Sequence, residues 1–426
     1  MMSKVVAIIA TVDSKAAEVF YLHGLINARG YTPVIVDVSC RPHRYTLGAA
    51  DIPNSRVAEA AGLSLQELET GVKGRVASKM ADGVSKVVSD LYRAGGLDGV
   101  IGIGGSIGAE LATAGMRALP IGVPKLCIST IQHTQPLVGS KDIAMLYPVT
   151  DLAGGERLNR FERIVLKNAV GAMVGMLETI KEEGGEERPL VLASMMGSTT
   201  PCVRGAREVL EKEGYEVAVF HAQGSGGRAI EELVRGGGVS GVLDITTSEL
   251  ASELAGGPLT AGPDRLKAAV EMGVPQVVCP GALDIIPFWG YHMIPPRYED
   301  RCFHQHSPSV VNMRTSKEEA VELAKTFAQR LNSAKAPVSI VIPERGWSEY
   351  DLQGGVQCVD SEGRQTTRSW YDPETDKAFT ETLARYLDRS NPNITLVTVD
   401  AHLNDDAFAS EVAAVILDML GRAKKM

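Results

Sequence analysis

The sequence predicts an α/β protein with two mostly parallel-sheet subdomains, and three observations carry that expectation. Short continuous runs of Val, Ile and Ala, such as residues 5–10 and 99–103, match strands buried on both faces of a parallel sheet. Each run passes through a small-residue turn into an apolar pattern of helical spacing. The pattern then recurs within the chain. Aligning Gly30-Tyr31 with Gly214-Tyr215 gives an offset of 184 residues and places residues 6–10 on 190–194 and residues 13–15 on 197–199. Asp98-Gly99-Val100 then matches Ser240-Gly241-Val242, and Gly122-Val123-Pro124 matches Gly273-Val274-Pro275, with only loop-sized changes between anchors. Both halves therefore read as Rossmann-like, doubly wound layers related by an internal repeat.

In chain order, residues 5–10 form the first strand and residues 16–28 a helix. Val19, Leu22, Leu25 and Ile26 fall on one face of that helix, and Gly30 ends it. A second strand over 31–38 completes a right-handed β-α-β unit. Residues 41–74 are polar and turn-rich, with a short helix over 63–71 capped by Ser64. A helix over 77–94 leads to the strand 99–103, and another strand spans 124–130. After a further strand at 145–149, an amphipathic helix over 156–182 runs into a charged, glycine-containing segment, 182–189. That segment separates an N-terminal nucleotide-binding subdomain, 1–183, from a C-terminal subdomain, 188–426. Helices starting at Ser316 and spanning 374–387 and 405–421, with strands at 337–343 and 394–399, are expected to complete the second sheet.

The bulk chemistry excludes several classes. A net charge of -9 without a basic stripe argues against nucleic-acid binding, which needs clustered cations to neutralise phosphates. Apolar runs stay short of membrane-spanning length, so the expectation is a cytoplasmic protein without a membrane partner. The six cysteines, at 40, 127, 202, 279, 302 and 358, show no CxxC pair, which suggests neither a disulfide framework nor a cysteine zinc site, and a reducing compartment.

The stretch from Val100 to Leu111 carries the strongest chemical signal. A strand empties into Gly102-Ile103-Gly104-Gly105-Ser106-Ile107-Gly108 and then into a helix. Glycines let backbone approach a ligand, and the first amides of a helix attract an anion. A turn that only packs the helix onto its sheet has the same sequence. The pattern is not the P-loop G-x-x-x-x-G-K-[ST], nor the dinucleotide G-x-G-x-x-G after a first strand. Residues 13–15 add a carboxylate and an amine, and residues 197–200 add amides and hydroxyls. With the region 281–314 these loops are expected to form a phosphate-binding interdomain cleft. The residues expected to hold the ligand are Thr11, Asp13, Lys15, Gly104, Gly105, Ser106, Thr130, Gly197, Ser198, Thr199 and Thr200.

Catalytic candidates are Asp284, His304, His306 and Arg314. Asp13 and Asp284, at strand exits, suit Mg²⁺, a ribose hydroxyl or a helix cap. His292, His304 and His306 lie near Cys302 and Asp300, but no third ligand stands at a metal-site spacing, so no metal is assigned. Substrate contact and structural hydrogen bonding remain open for these histidines. Arg314 suits a planar anion or an ion pair.

Ala10-Thr11-Val12-Asp13-Ser14-Lys15, Gly104-Gly105-Ser106, Met196-Gly197-Ser198-Thr199-Thr200, Gly281-Ala282-Leu283-Asp284 and the run from His306-Ser307-Pro308 to Met313-Arg314-Thr315 resemble the tomato mosaic virus resistance protein-like ATP-binding family over essentially the whole chain. The resemblance implies two Rossmann-like subdomains, a homodimer, and ATP held by the glycine-rich N-terminal region. In the plant relative the domain binds a viral replication protein, a role not carried over to this chain. Ser14, Ile107, Ala109 and Ser307 depart from the family's usual residues, and the change at Ala109 removes an expected hydroxyl. Three readings follow. The first is an ATP-binding or other nucleotide-binding protein, with or without Mg²⁺. The second is an enzyme acting on a small anionic metabolite of sugar-acid or keto-acid type. The third is a dimeric scaffold.

Overall fold

The computed structural model describes residues 3–43, 47–152, 154–155, 157–179 and 188–423, and the chain divides into two compact units, 1–185 and 186–426. Most of the predicted separating segment, 182–187, lies outside the described residues.

Unit 1 runs β1 (Val5–Ala10), α1 (Val12–Ala28), β2 (Thr32–Asp37), α2 (Asn54–Ala60), α3 (Leu65–Thr70), α4 (Lys73–Arg93), β3 (Gly99–Ile103), α5 (Ser106–Arg117), β4 (Lys125–Ile128), α6 (Gln135–Val138), β5 (Ala144–Leu146) and α7 (Arg160–Thr179). Its five strands form one sheet in the order β2-β1-β3-β4-β5, with every pair parallel. The continuous apolar runs are explained by two-sided burial. Ala7, Ile9, Val36 and Val100 face α4 and α5 through Val84 and Met116, whereas Val6, Ile8, Ile35 and Ile101 face α1 and α7 through Leu22 and Leu166.

Helix α1 starts four residues earlier than periodicity suggests, because its cap is remote in sequence. The Asp37 carboxylate at the end of β2 accepts a hydrogen bond from the Val12 amide (3.2 Å), and the Ser39 hydroxyl accepts one from the Asp13 amide (3.1 Å). Helix α3 is capped locally, by the reciprocal Ser64–Glu67 box.

Unit 2 runs β6 (Leu190–Met195), α8 (Thr200–Lys212), β7 (Glu216–His221), α9 (Ser225–Gly236), β8 (Val239–Thr246), α10 (Ser248–Ala255), α11 (Ala268–Met272), β9 (Gln276–Gly281), β10 (Ile285–Phe288), β11 (Phe303–Ser307), β12 (Val310–Arg314), α12 (Lys317–Leu331), β13 (Val338–Pro343), β14 (Gln357–Val359), β15 (Gln365–Ser369), α13 (Pro373–Tyr386), β16 (Ile394–Val399) and α14 (Asp406–Ala423). Its parallel sheet has the order β16-β13-β9-β8-β6-β7. Reading β7-β6-β8-β9-β13 against β2-β1-β3-β4-β5 gives the same winding, so the internal repeat is a repeat of topology.

The register agrees as well. Val100 opposes Lys125 in unit 1 and Val242 opposes Gln276 in unit 2, at the positions matched from sequence. One anchor shifts. Val6 opposes Gly99 and Val191 opposes Gly241, so Val6 corresponds to Val191 and not to Leu190, and the pairing is irregular between Leu190 and Val191.

Not all of the C-terminal segments join this sheet. Strands β13 and β16 do, but β10-β12-β11-β14-β15 form a separate antiparallel sheet that the parallel-strand pattern does not foreshadow. Pairing of Phe303 with Val359 brings the neighbouring Cys302 and Cys358 to a Cα separation of 5.3 Å, where they form a disulfide. This corrects the expectation of no disulfide, since a pair made by sheet register leaves no mark in cysteine spacing. The other four cysteines are free and buried. Among the described residues, no helix is long and apolar enough to cross a membrane.

Candidate functional site

In unit 1 the winding direction reverses between β1 and β3, and the loops leaving these two strands bound a cavity of about 420 Å³. Thr11, Asp13, Ser14, Lys15, Gly105 and Ser106 line it. The fold thus brings together two loops about 90 positions apart, at the switch point where open parallel sheets take their ligands. Gly104 must be glycine, because a Cβ there would lie 2.6 Å from the Gly108 Cα. At Gly105 an added Cβ would meet nothing within 4 Å. The first ladder bond of α5 runs from the Ala109 amide to the Gly105 carbonyl (2.8 Å), so the amides of Ser106, Ile107 and Gly108 precede the helical ladder. All three residues line the cavity.

The predicted ligands differ in what they have left to offer. The Gly104 amide donates to the Ile128 carbonyl (3.2 Å), closing the end of the sheet. The Lys15 ammonium donates to the Leu152 carbonyl, and the Lys15 backbone itself leaves helical geometry within α1 (φ -131°, ψ 22°). The Thr11 and Ser14 hydroxyls are 3.1 Å apart and satisfy one another. Asp13 is exposed. Thr130, two residues beyond β4, does not line this cavity.

Three further lining residues lie outside the motifs read from sequence: Cys40, Arg41 and Lys73. Burial pushes the Cys40 thiol up, with the Asp13 charge adding to the effect. Arg41 is committed to carbonyls of Glu69 (2.5 Å) and Gly71 (3.0 Å) at the end of α3. Lys73, the first residue of α4, places an exposed ammonium at the cavity. Its sequence signal, a lysine opening a helix after a polar excursion, is too common to have singled it out.

Unit 2 distributes its candidates over two places. Gly197 and Ser198 line a smaller cavity, of about 190 Å³, with His306, Tyr350 and Asn312. The Thr199 hydroxyl is bonded to the Met196 carbonyl (3.0 Å) and the Thr246 hydroxyl (2.8 Å), and the Thr200 hydroxyl donates to the Met196 carbonyl (3.2 Å). His306 Nδ1 lies 2.8 Å from the Tyr350 hydroxyl. His304 packs its ring on Tyr350 at a centroid distance of 4.6 Å, and burial holds it below the usual imidazole range, with the His306 charge acting in the same direction. His292 is exposed on a short 3-10 turn.

Asp284 and Arg314 are buried and belong to an internal charge cluster. The Arg314 guanidinium donates to Asp376 (3.0 Å), Asp351 (3.3 Å) and the Trp370 carbonyl (3.0 Å). Asp284 accepts from the Ser348 hydroxyl (2.6 Å) and the Trp370 indole (2.8 Å). Burial raises its pKa to about 6, with the Asp351 charge adding and Arg314 opposing. The structure therefore brings Asp284 together with Arg314, and His304 together with His306, without drawing all four to one surface. Among the described residues, no group of three or more His, Cys, Asp and Glu is placed to hold a metal ion.

A second glycine-rich turn follows β7, with the same readable pattern: Gln223-Gly224-Ser225-Gly226-Gly227 also joins a strand to a helix. Its guest is internal. The Glu249 carboxylate accepts the amides of Gly224 (2.6 Å) and Gly227 (3.0 Å) and pairs with the fully buried Arg265 (2.7 Å). A Cβ on Gly227 would lie 2.0 Å from that carboxylate.

Comparison with known proteins gives matches along the whole chain. A UPF0261 protein of Clostridium tetani is 37% identical over 98% of this chain and 100% of its own length. A UPF0261 protein of Rhizobium meliloti is 36% identical over 98% and 99%. The ToMV resistance protein Tm-1 of Solanum lycopersicum is 34% identical over 92% of this chain, which spans 51% of that longer protein. Among solved structures, a UDP-N-acetylglucosamine 2-epimerase from Rickettsia bellii covers 61% of this chain and 78% of its own at 11% identity, with a TM-score of 0.23, a likeness that bears on no chemistry. The N-terminal domain model of the uncharacterised protein family UPF0261 matches residues 4–182 and its C-terminal domain model residues 188–420, and the chain belongs to that family.

Proposed function

We propose that the protein binds a phosphorylated nucleotide, ATP foremost, through the β1/β3 crevice of unit 1. The observation that carries this reading is the set of amides at Ser106, Ile107 and Gly108, ahead of the helical ladder and lining a cavity of about 420 Å³. Such amides are preorganised donors for phosphate oxygens. The cavity lies in the volume range of small-ligand sites, about 300–1,000 Å³. Lys73 supplies a cation that no helix amide provides, and the exposed Asp13 carboxylate suits a Mg²⁺ ion carried by the nucleotide. The family resemblance in Thr11 to Lys15 and Gly104 to Ser106 supports ATP over other anions. Lys15, first expected to hold phosphate, fits better as a brace for the loop at Leu152.

The decisive variant removes one amide without breaking the helix. Ser106 is the first residue of α5, where proline is tolerated, and Gly105 before it is extended (ψ -157°), as a residue preceding proline prefers. ATP with Mg²⁺ is expected to raise the melting temperature of the wild-type protein. Ser106→Pro is expected to weaken ATP about tenfold, which is about 1.4 kcal/mol, while Ser106→Ala, which keeps the amide, changes affinity far less. An unchanged melting temperature with saturating ATP and Mg²⁺ refutes the reading.

A further inference from the structure

The cavity of unit 2 has a chemistry of its own. It lies beyond the carboxyl ends of β6 and β7 and is walled on another side by the antiparallel sheet, through Ile285, Pro287 and Val310. Its polar groups are all neutral or near-neutral types: Ser198, His221, Gln223, His306, Asn312 and Tyr350. Among the described residues that line it there is no Lys, Arg, Asp or Glu. An anion would give up its hydration there with no cation among the lining residues to compensate, and with the Glu349 carboxylate against Tyr350 opposing it, whereas an uncharged ligand meets neither cost.

Two features mark the cavity as a place for a guest. Ser198 is 4% exposed, and its hydroxyl oxygen has no hydrogen-bond partner, although the neighbouring Thr199 and Thr200 hydroxyls are both satisfied. A buried unpaired hydroxyl is unfavourable, and a ligand's polar group would satisfy it. Trp289, on the same wall, is 44% exposed, while Trp347 and Trp370 are 1% and 0% exposed. An aromatic face beside the planar amides of Asn312 and Gln223 matches a ring with one apolar face and a hydrogen-bonding edge.

We propose that unit 2 binds an uncharged ring compound in this cavity, a nucleoside base or a monosaccharide, with the Ser198 hydroxyl and the Asn312 amide as its polar contacts and Trp289 as its stacking surface. This site uses none of the residues of the unit 1 crevice, so it stands or falls separately from nucleotide binding there.

The test titrates the full-length protein with adenosine, uridine, D-glucose and D-xylose, and with AMP and glucose 6-phosphate as charged counterparts, reading tryptophan fluorescence. Trp289, the exposed tryptophan, should report occupancy, and Trp289→Phe should abolish the response. A saturable change with a nucleoside identifies a base pocket, and one with a sugar identifies a sugar pocket. In either case the phosphorylated counterpart should elicit the Trp289-dependent change with about tenfold weaker affinity, whatever it does in unit 1, and Ser198→Ala should weaken the uncharged ligand about tenfold. Ser198→Ala should not lower the melting temperature of the free protein, since it deletes an unsatisfied group. The proposal is overturned if no uncharged compound changes the signal up to about 10 mM, the weak end of specific binding. It is also overturned if the phosphorylated forms drive the Trp289-dependent change more tightly than the uncharged ones, or if Ser198→Ala binds like the wild type.

Discussion

Arg314 reads from sequence as a residue seeking a planar anion, and it has found two inside its own unit. Asp351 and Asp376, 37 and 62 positions further along, take its guanidinium, and Asp284 completes a group of three carboxylates around one buried arginine. Burial raises the Asp284 carboxyl from the usual 3.8 to about 6, and the Asp351 charge adds to it against the opposing pull of Arg314. In the folded state this group holds its proton more tightly than in the unfolded chain. Stability tied to it is therefore fully present below about pH 4 and is lost as pH rises through about 6. Asp284→Asn removes that titration and keeps an oxygen to accept from Ser348 and Trp370. Scanning calorimetry across this window should show a smaller decline in melting temperature for the variant than for the wild type. Parallel profiles for the two proteins would place the charge effect elsewhere. Lys15 teaches the same lesson in unit 1. Its position after a strand was legible, but its bond to Leu152, 137 residues away, was not.

At the scale of elements, strand–glycine turn–helix grammar is legible wherever it occurs, and its guest is not. The turns at 104–108 and 224–227 look alike in sequence. One leaves the first residues of α5, whose amides precede the helical ladder, lining a cavity, and the other closes on Glu249. The reason is that a helix amide binds whichever anion the rest of the fold supplies. Adjacent glycines of the first turn should also behave differently. Gly104→Ala forces a methyl against backbone at Gly108 and should cost about 1–3 kcal/mol with loss of nucleotide response. Gly105→Ala meets open space at φ -72° and should stay within about 0.5 kcal/mol of the wild type. Urea denaturation of the two variants measures the contrast, and equal losses would mean that close approach at Gly104 is not what demands glycine. The start of α1 was misplaced from sequence because its capping groups, Asp37 and Ser39, come from the end of β2.

For the whole molecule, each unit carries its own hydrophobic cores on the faces of its own parallel sheet. In unit 2 the Phe379 ring packs at 5.1 Å from Phe327 and 5.2 Å from Trp347, edge-on to both. Phe379→Ala should cost about 3–5 kcal/mol. Because that core lies within unit 2, differential scanning calorimetry should show a lowered transition for unit 2 and an unmoved one for unit 1. A uniform shift of the entire profile would show that the units melt as one. The sequence by itself determined the α/β class, the two parallel windings and their repeat. Those follow from burial periods and turn residues carried within short segments, and the repeated register of Val100 with Lys125 and Val242 with Gln276 shows how far such local signals reach. Only the tertiary structure decided the antiparallel sheet, the Cys302–Cys358 pair, the partners of Lys15 and Arg314, and which of the expected ligand residues share a cavity. Each of these depends on groups far apart along the chain meeting in space, where charge, hydrogen bonding and packing act without regard to sequence distance.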